Sequence, residues 1–265
     1  MCFLNRNITS YVRNIPRIPS YILYILKCLV LFKKPFQFIY AYVTVTPIAE
    51  RVIELRSGLR IYLSEHPHDV ITVFVVFVRK DYGEIPSNGS VIDIGANIGV
   101  FSLYAAHCGK AVKVFAYEPN SESFRYLLNN ITANNLEQTI IPHRLAVTGT
   151  PGEVVRFPKT SSMYNAIIEG EGGTDFEEVE TTSLPAILSD VDRVTLLKLD
   201  CEGAEYGILM QAGQPVFGKI AAIRMEYHAG RVAEVSDFLG QYGFSRCHFS
   251  QDSELTGNLW FCKPG

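Results

Sequence analysis

Apolar and polar positions along this chain switch repeatedly between a strand period and a helix period, and the switches mark its elements. Val91-Ile92-Asp93-Ile94 is a short apolar run holding one acid, the pattern of a buried strand. Gly95, Asn97 and Gly99 follow, and Val100–Ala106 then reads as a helix packed on both sides. Similar runs recur at Lys113–Tyr117, at Ile140–Val147 with Pro142 inside it, at Val194–Leu199 and at Ala221–Tyr227. Helical periodicity fills Ser121–Asn134, with Ser121 as the expected N-cap, and Val232–Tyr242, stopped by Gly243. Phe244–Phe249 and Leu259–Cys262 complete the set as two final strands. Strands alternating with helices predict an α/β fold. The expected form is a doubly wound, Rossmann-like, mostly parallel seven-stranded sheet with an antiparallel edge. Upstream, Arg51–Leu63 reads as a hairpin around Ser57-Gly58, and Asp69–Val78 as helical. Residues 148–183 are the least regular. They include an added strand at Glu153–Phe157, a stretch Ser161–Asn165 read as part of a substrate mouth, and a solvated loop Glu169–Glu178.

A strand that turns through glycines into a helix aims backbone N–H groups and a positive helix end at one point, which makes a nucleotide-sized site. The spacing here is Asp-x-Gly-x-x-x-Gly, from Asp93 through Gly95 to Gly99. A nicotinamide fingerprint needs a middle glycine for backbone to approach a diphosphate, and Asn97 occupies that region instead. The carboxylate at the strand end suits a cationic ligand. S-adenosylmethionine carries an ammonium and a sulfonium and no phosphate. Glu118, at the tip of the second strand and roughly twenty residues on, is placed to bind the two ribose hydroxyls of an adenosine. A tight turn without a ligand, a nicotinamide-dependent dehydrogenase and a non-catalytic binding module remain the alternatives.

DIGANIG (Asp93–Gly99), YEPN (Tyr117–Asn120), LKLDCEGAE (Leu197–Glu205) and MEYH (Met225–His228) together resemble the FkbM-type family of S-adenosylmethionine-dependent methyltransferases. The similarity runs from about Arg51 to near the C-terminus. It implies methyl transfer to a hydroxyl oxygen of a sugar, glycan or natural product, with S-adenosylmethionine as cofactor. On that frame Asp93, Gly95, Asn97, Gly99, Glu118, Ala146 and Asp200 are the expected cofactor-binding residues, with Leu145 and Ala146 where an adenine would lie. Tyr82 falls in the region that covers the pocket. Leu184-Pro185-Ala186-Ile187-Leu188 departs from the acid-containing run of many relatives.

Methyl transfer is an in-line displacement, so a protein mainly aligns the partners and excludes water. An alcohol acceptor also needs a base. His228 fits by type, because an imidazole titrates near neutrality. Asp200 and Glu226, delivered to the same edge, would orient it or the acceptor hydroxyl. The same three side chains suit a divalent cation as well, although no metal is expected. His66 and His68 lack a third ligand nearby, Lys198 is expected to snorkel its amine outward, and Glu205 to open the next helix.

Charge alters the picture at the N-terminus. The 265 residues hold 24 Lys and Arg against 27 Asp and Glu. Before Glu50 there are six basic residues and no acid, which leaves 18 against 27, or −9, for the remainder. An acidic domain of that kind argues against nucleic acid as a partner. Residues 1–45 therefore read as a basic extension, ahead of a methyltransferase domain at 46–265. Within it, Ser20, Tyr24, Lys27 and Lys34 form one helical stripe, with Ile22, Ile25, Leu26 and Leu29 opposite. Such a helix packs on the rest of the chain, mediates self-association or lies on a membrane surface; an export signal is the remaining reading. The apolar stretch is shorter than the roughly 20 residues of a membrane span. Six scattered cysteines without a Cys-x-x-Cys pair predict reduced thiols and a cytoplasmic setting.

Overall fold

The computed structural model describes residues 18–159 and 176–264. The chain divides into two compact units, Met1–Asp81 and Tyr82–Gly265. The first holds helices α1 (Ile18–Leu31) and α2 (Pro35–Thr44), strands β1 (Val52–Glu54) and β2 (Arg60–Tyr62), and helix α3 (Asp69–Val73) running into a π-helical turn at Phe74–Arg79. β1 and β2 form the hairpin expected from the sequence, with Ile53 opposite Ile61 and Gly58 in the turn at φ 95°. Phe32 stacks on Phe38 with ring centres 4.0 Å apart, and bridges to Leu55.

Of the three placements open to α1, packing by its apolar stripe on the rest of its unit is not the one observed. Cys28 is buried and Tyr24 half-buried, whereas Ile22, Leu23, Ile25, Leu26 and Val30 are exposed. The inward surface is closed by polar contacts instead. The Lys27 amine donates to the Val78 carbonyl at 2.9 Å, and Tyr24 meets Phe74 edge-on.

The second unit is the doubly wound α/β body. Its elements run β3 (Ser90–Ile94), α4 (Val100–His107), β4 (Lys113–Tyr117), α5 (Ser121–Ala133), β5 (Ile140–His143), β6 (Ala146–Thr148), β7 (Val154–Pro158), β8 (Phe176–Ser183) and α6 (Leu184–Ile187). They continue with β9 (Leu196–Leu199), α7 (Glu205–Met210), α8 (Gln214–Lys219), β10 (Ala222–Tyr227), α9 (Val232–Gly240), β11 (Ser245–Gln251) and β12 (Gly257–Cys262). Seven strands form one sheet in the order β11-β12-β10-β9-β3-β4-β5, parallel except where β12 meets β10 and β11. Four successive residues of β9 are buried, so both faces of the sheet centre are covered. Ile208 and Leu209 of α7, Phe217 of α8 and Leu239 of α9 join Leu197, Leu199, Ile223 and Met225 in one hydrophobic core cluster. Pro142 is tolerated because β5 is the edge strand.

Several boundaries differ from the sequence reading for local reasons. Asn120, not Ser121, caps α5: its side-chain oxygen accepts from the Ser123 N–H at 2.9 Å. The single strand expected at Ile140–Val147 is two, because β6 leaves the main sheet to pair with β8, which also pairs with β7. β8 begins at Phe176 and takes up the end of the expected loop Glu169–Glu178. The rest of that loop, and Ser161–Asn165, lie outside the described residues. The expectation of reduced cysteines is corrected at one pair. Cys247 sits in a bulge of β11 and forms a disulfide with Cys262, with Cα atoms 6.2 Å apart. Cys28 and Cys201 are free thiols.

Candidate active site

The parallel register carries four strand ends to one edge. Ile94 lies beside Tyr117 of β4 and Leu199 of β9, and Leu199 lies beside Met225 of β10. The next residue on each strand therefore forms a row: Glu118, Gly95, Asp200 and Glu226. Carboxyl ends of an open parallel sheet are where such folds hold ligands.

Gly95 sits at φ 76°, and a Cβ there would lie 1.8 Å from the Asp200 carbonyl oxygen. The turn and the end of β9 are thus in backbone contact that only glycine allows. Asn97 also adopts the left-handed conformation, at φ 50°. Its backbone N–H donates to Glu118 Oε2 at 2.7 Å, while its own buried Oδ1 has no hydrogen-bond partner. Glu118 accepts a second backbone bond on Oε1, from Asn120 at 2.9 Å. Each oxygen keeps a lone pair for a further donor. Burial pushes the Glu118 carboxyl up to about 7, against the pull of these two backbone bonds. Gly99, at φ 89°, ends the turn as the N-cap of α4. An orphaned acceptor on Asn97, a buried carboxylate with spare lone pairs and a turn stripped of side-chain bulk fit an adenosine-bearing cofactor.

Asp93 lies beneath this floor, not on it. It is fully buried, receives the Ser102 hydroxyl at 2.6 Å and pairs with the Lys198 amine at 3.1 Å. Lys198 does not snorkel outward. Its amine is buried, donates to the carbonyls of Gly95 at 2.8 Å and Ile94 at 3.3 Å, and stands 3.6 Å from Asp200. Burial alone would lower its pKa, but Asp93 and Asp200 raise it overall. Asp200 also accepts the Tyr82 hydroxyl at 2.8 Å. Tyr82 is itself buried against Phe101 and is held through its carbonyl by Arg224, so it is a fixed wall beside Asp200. Ala146 is buried in β6 with Phe157 and Val179.

His228 follows β10 and is gripped by two glutamates. Nδ1 faces Glu205 at 3.2 Å and Nε2 faces Glu202 at 3.4 Å. Glu205 is fully buried at the start of α7, where it also accepts the N–H groups of Cys201 at 2.8 Å and Gly203 at 2.9 Å. The Glu205 hydrogen bond, opposed by burial, raises His228 to about 9. Burial raises Glu202 to about 7, and raises Glu226 with Asp200 adding to the shift. The carboxylates in contact with His228 are therefore Glu202 and Glu205, while Asp200 is bound to Tyr82 and Lys198. Sequence reasoning missed the Glu205–His228 contact and the inward course of Lys198. The one available signal was the density of acids in LDCEGAE. Among the described residues, no group of three or more His, Cys, Asp or Glu is arranged to hold a metal ion.

The sequence profile described as "Methyltransferase FkbM domain" matches residues 93–246. AMB antimetabolite synthetase AmbE of Pseudomonas aeruginosa is 25% identical over 257 residues, covering 79% of this chain and 12% of that protein. Hexuronic acid methyltransferase AglP of Haloferax volcanii is 26% identical over 139 residues, covering 52% of this chain and 55% of its own length. This chain thus spans less than two thirds of either relative. A crystal structure of methyltransferase FkbM from Methylobacillus flagellatus overlaps 96% of this chain and 60% of its own, with a TM-score of 0.48 and 16% identity.

Proposed function

The chain belongs to the FkbM methyltransferase family, and from that premise we propose that it transfers a methyl group from S-adenosylmethionine to a hydroxyl oxygen of a sugar, glycan or natural product. S-adenosylmethionine is the family's donor and supplies an already activated methyl. The observation that carries the reading is the row Glu118, Gly95, Asp200 and Glu226 along one sheet edge. Glu118 would bind the ribose hydroxyls through its two spare lone pairs. Asn97 Oδ1 offers the acceptor beside it, and the bare Gly95 turn leaves room for the ligand. Asp200, held by Tyr82 and Lys198, and Glu226 orient the acceptor hydroxyl from the next two strand ends. His228 takes the acceptor's proton in its neutral form, so transfer should speed up as pH rises toward about 9, while Glu205 on Nδ1 and Glu202 beside Nε2 fix the ring. The name of the hexuronic acid enzyme supports a sugar acceptor.

Calorimetry tests the cofactor half: S-adenosylmethionine and its demethylated product should bind and NAD should not. Glu118→Ala should weaken binding by about 1.5–3 kcal/mol, because two hydroxyls lose a charged acceptor. Radiolabelled methyl transfer to uronic acids and hydroxylated natural products tests the other half. His228→Ala should lower turnover about a hundredfold or more with cofactor affinity nearly unchanged. Binding without transfer to any acceptor would favour a binding module.

A further inference from the structure

α1 packs in the sense opposite to a water-facing amphipathic helix. Its inward stripe carries Tyr24, Lys27 and Cys28, while Ile22, Leu23, Ile25, Leu26 and Val30 face out at 46% to 71% exposure. The next helix, α2, exposes Phe36 at 76% and Tyr40 at 66%, one helical turn apart. Seven of the twelve large apolar side chains exposed among the described residues thus fall between positions 22 and 40. An apolar patch gathered in this way marks a surface that meets something other than water.

Charge selects the partner. The first 49 residues carry Arg6, Arg13, Arg17, Lys27, Lys33 and Lys34 and no acid. A second copy docked through the same helices would bring two copies of this acid-free, basic stretch of sequence together. A bilayer with anionic headgroups complements both the apolar surface and the charge. Lys33 and Lys34 are well exposed and engaged only in surface pairs, with Glu54 and Glu50, which are weak enough to yield to lipid phosphate. No described helix is long and apolar enough to cross a membrane. We propose that α1 and α2 seat this protein on an anionic lipid surface, with the outward side chains of Ile22, Leu26, Val30 and Phe36 entering the headgroup–acyl boundary.

The test is co-sedimentation of the full chain with vesicles of phosphatidylcholine, alone or mixed with phosphatidylglycerol. The full chain should partition onto the mixed vesicles about tenfold or more tightly than onto phosphatidylcholine alone. The triple variant Leu26→Gln, Val30→Gln, Phe36→Gln should lose about tenfold or more of that partition with an unchanged melting temperature, since all three side chains already face outward. A parent protein that stays in the supernatant with both vesicle types overturns the proposal without reference to any variant. So does equal partition onto the two vesicle types, or a triple variant that binds as the parent does. A dimer that ignores lipid and falls apart in the triple variant would assign the face to a second copy instead.

Discussion

Replacing Lys198 with Met tests the buried charge network under the cofactor turn. The methionine keeps most of the apolar stem and removes the ammonium. Asp93, with none of its surface exposed, then keeps the Ser102 hydroxyl and loses its cation at 3.1 Å. The carbonyls of Gly95 and Ile94 lose a donor as well. Breaking a buried pair from one side costs roughly 3–5 kcal/mol. For a chain of this size the melting temperature should fall by roughly 10 °C. Removing the second charge in Asp93→Asn/Lys198→Met should recover half or more of the loss, because no unpaired ion remains. Lys198 holds its proton more tightly folded than unfolded, so its contribution is complete below the unfolded pKa and fades only as pH rises through the folded one. The assay is denaturant and thermal unfolding of the full chain and its variants. A Lys198→Met protein within about 1 kcal/mol of the parent would refute the reasoning. So would a double variant no more stable than Lys198→Met.

Two titrating groups, His228 and Glu118, give three further outcomes. Glu205→Gln removes the main support of the His228 proton, so the pH–rate profile should move toward acid by roughly one pH unit or more. The stability that His228 contributes is complete below its unfolded pKa and lost as pH rises through about 9, so the variant's deficit should be largest in acid and neutral buffer. Glu118, raised to about 7 by burial, accepts hydroxyl donors best when ionised; S-adenosylmethionine binding should tighten between pH 6 and 8, and Glu118→Gln should flatten that dependence in calorimetry.

The parallel sheet, its antiparallel edge, the hairpin around Gly58 and the glycine turn were all legible in the sequence. Each rests on residues near one another along the chain: apolar runs of strand length, a Ser-Gly turn, an Asp-x-Gly-x-x-x-Gly spacing. The row of strand ends was legible too, because parallel strands of known boundaries bring their carboxyl ends to one edge. Other features depend on distances across the fold that no local pattern carries. Lys198 reads as a surface lysine until β9 is placed beside β3, where Asp93 and the Gly95 carbonyl are nearer to it than water. His228 reads as a lone base until the turn at Cys201–Ala204 folds Glu205 back toward β10. Cys247 and Cys262 read as scattered until the β11–β12 register and its bulge bring them together. The same holds for α1. Periodicity determined that it has two unlike faces, but the burial of the polar one was decided by what the rest of its unit offers: the Val78 carbonyl for Lys27 and the Phe74 ring for Tyr24. A helix turns whichever side finds partners inward, and those partners lie some fifty residues away along the chain.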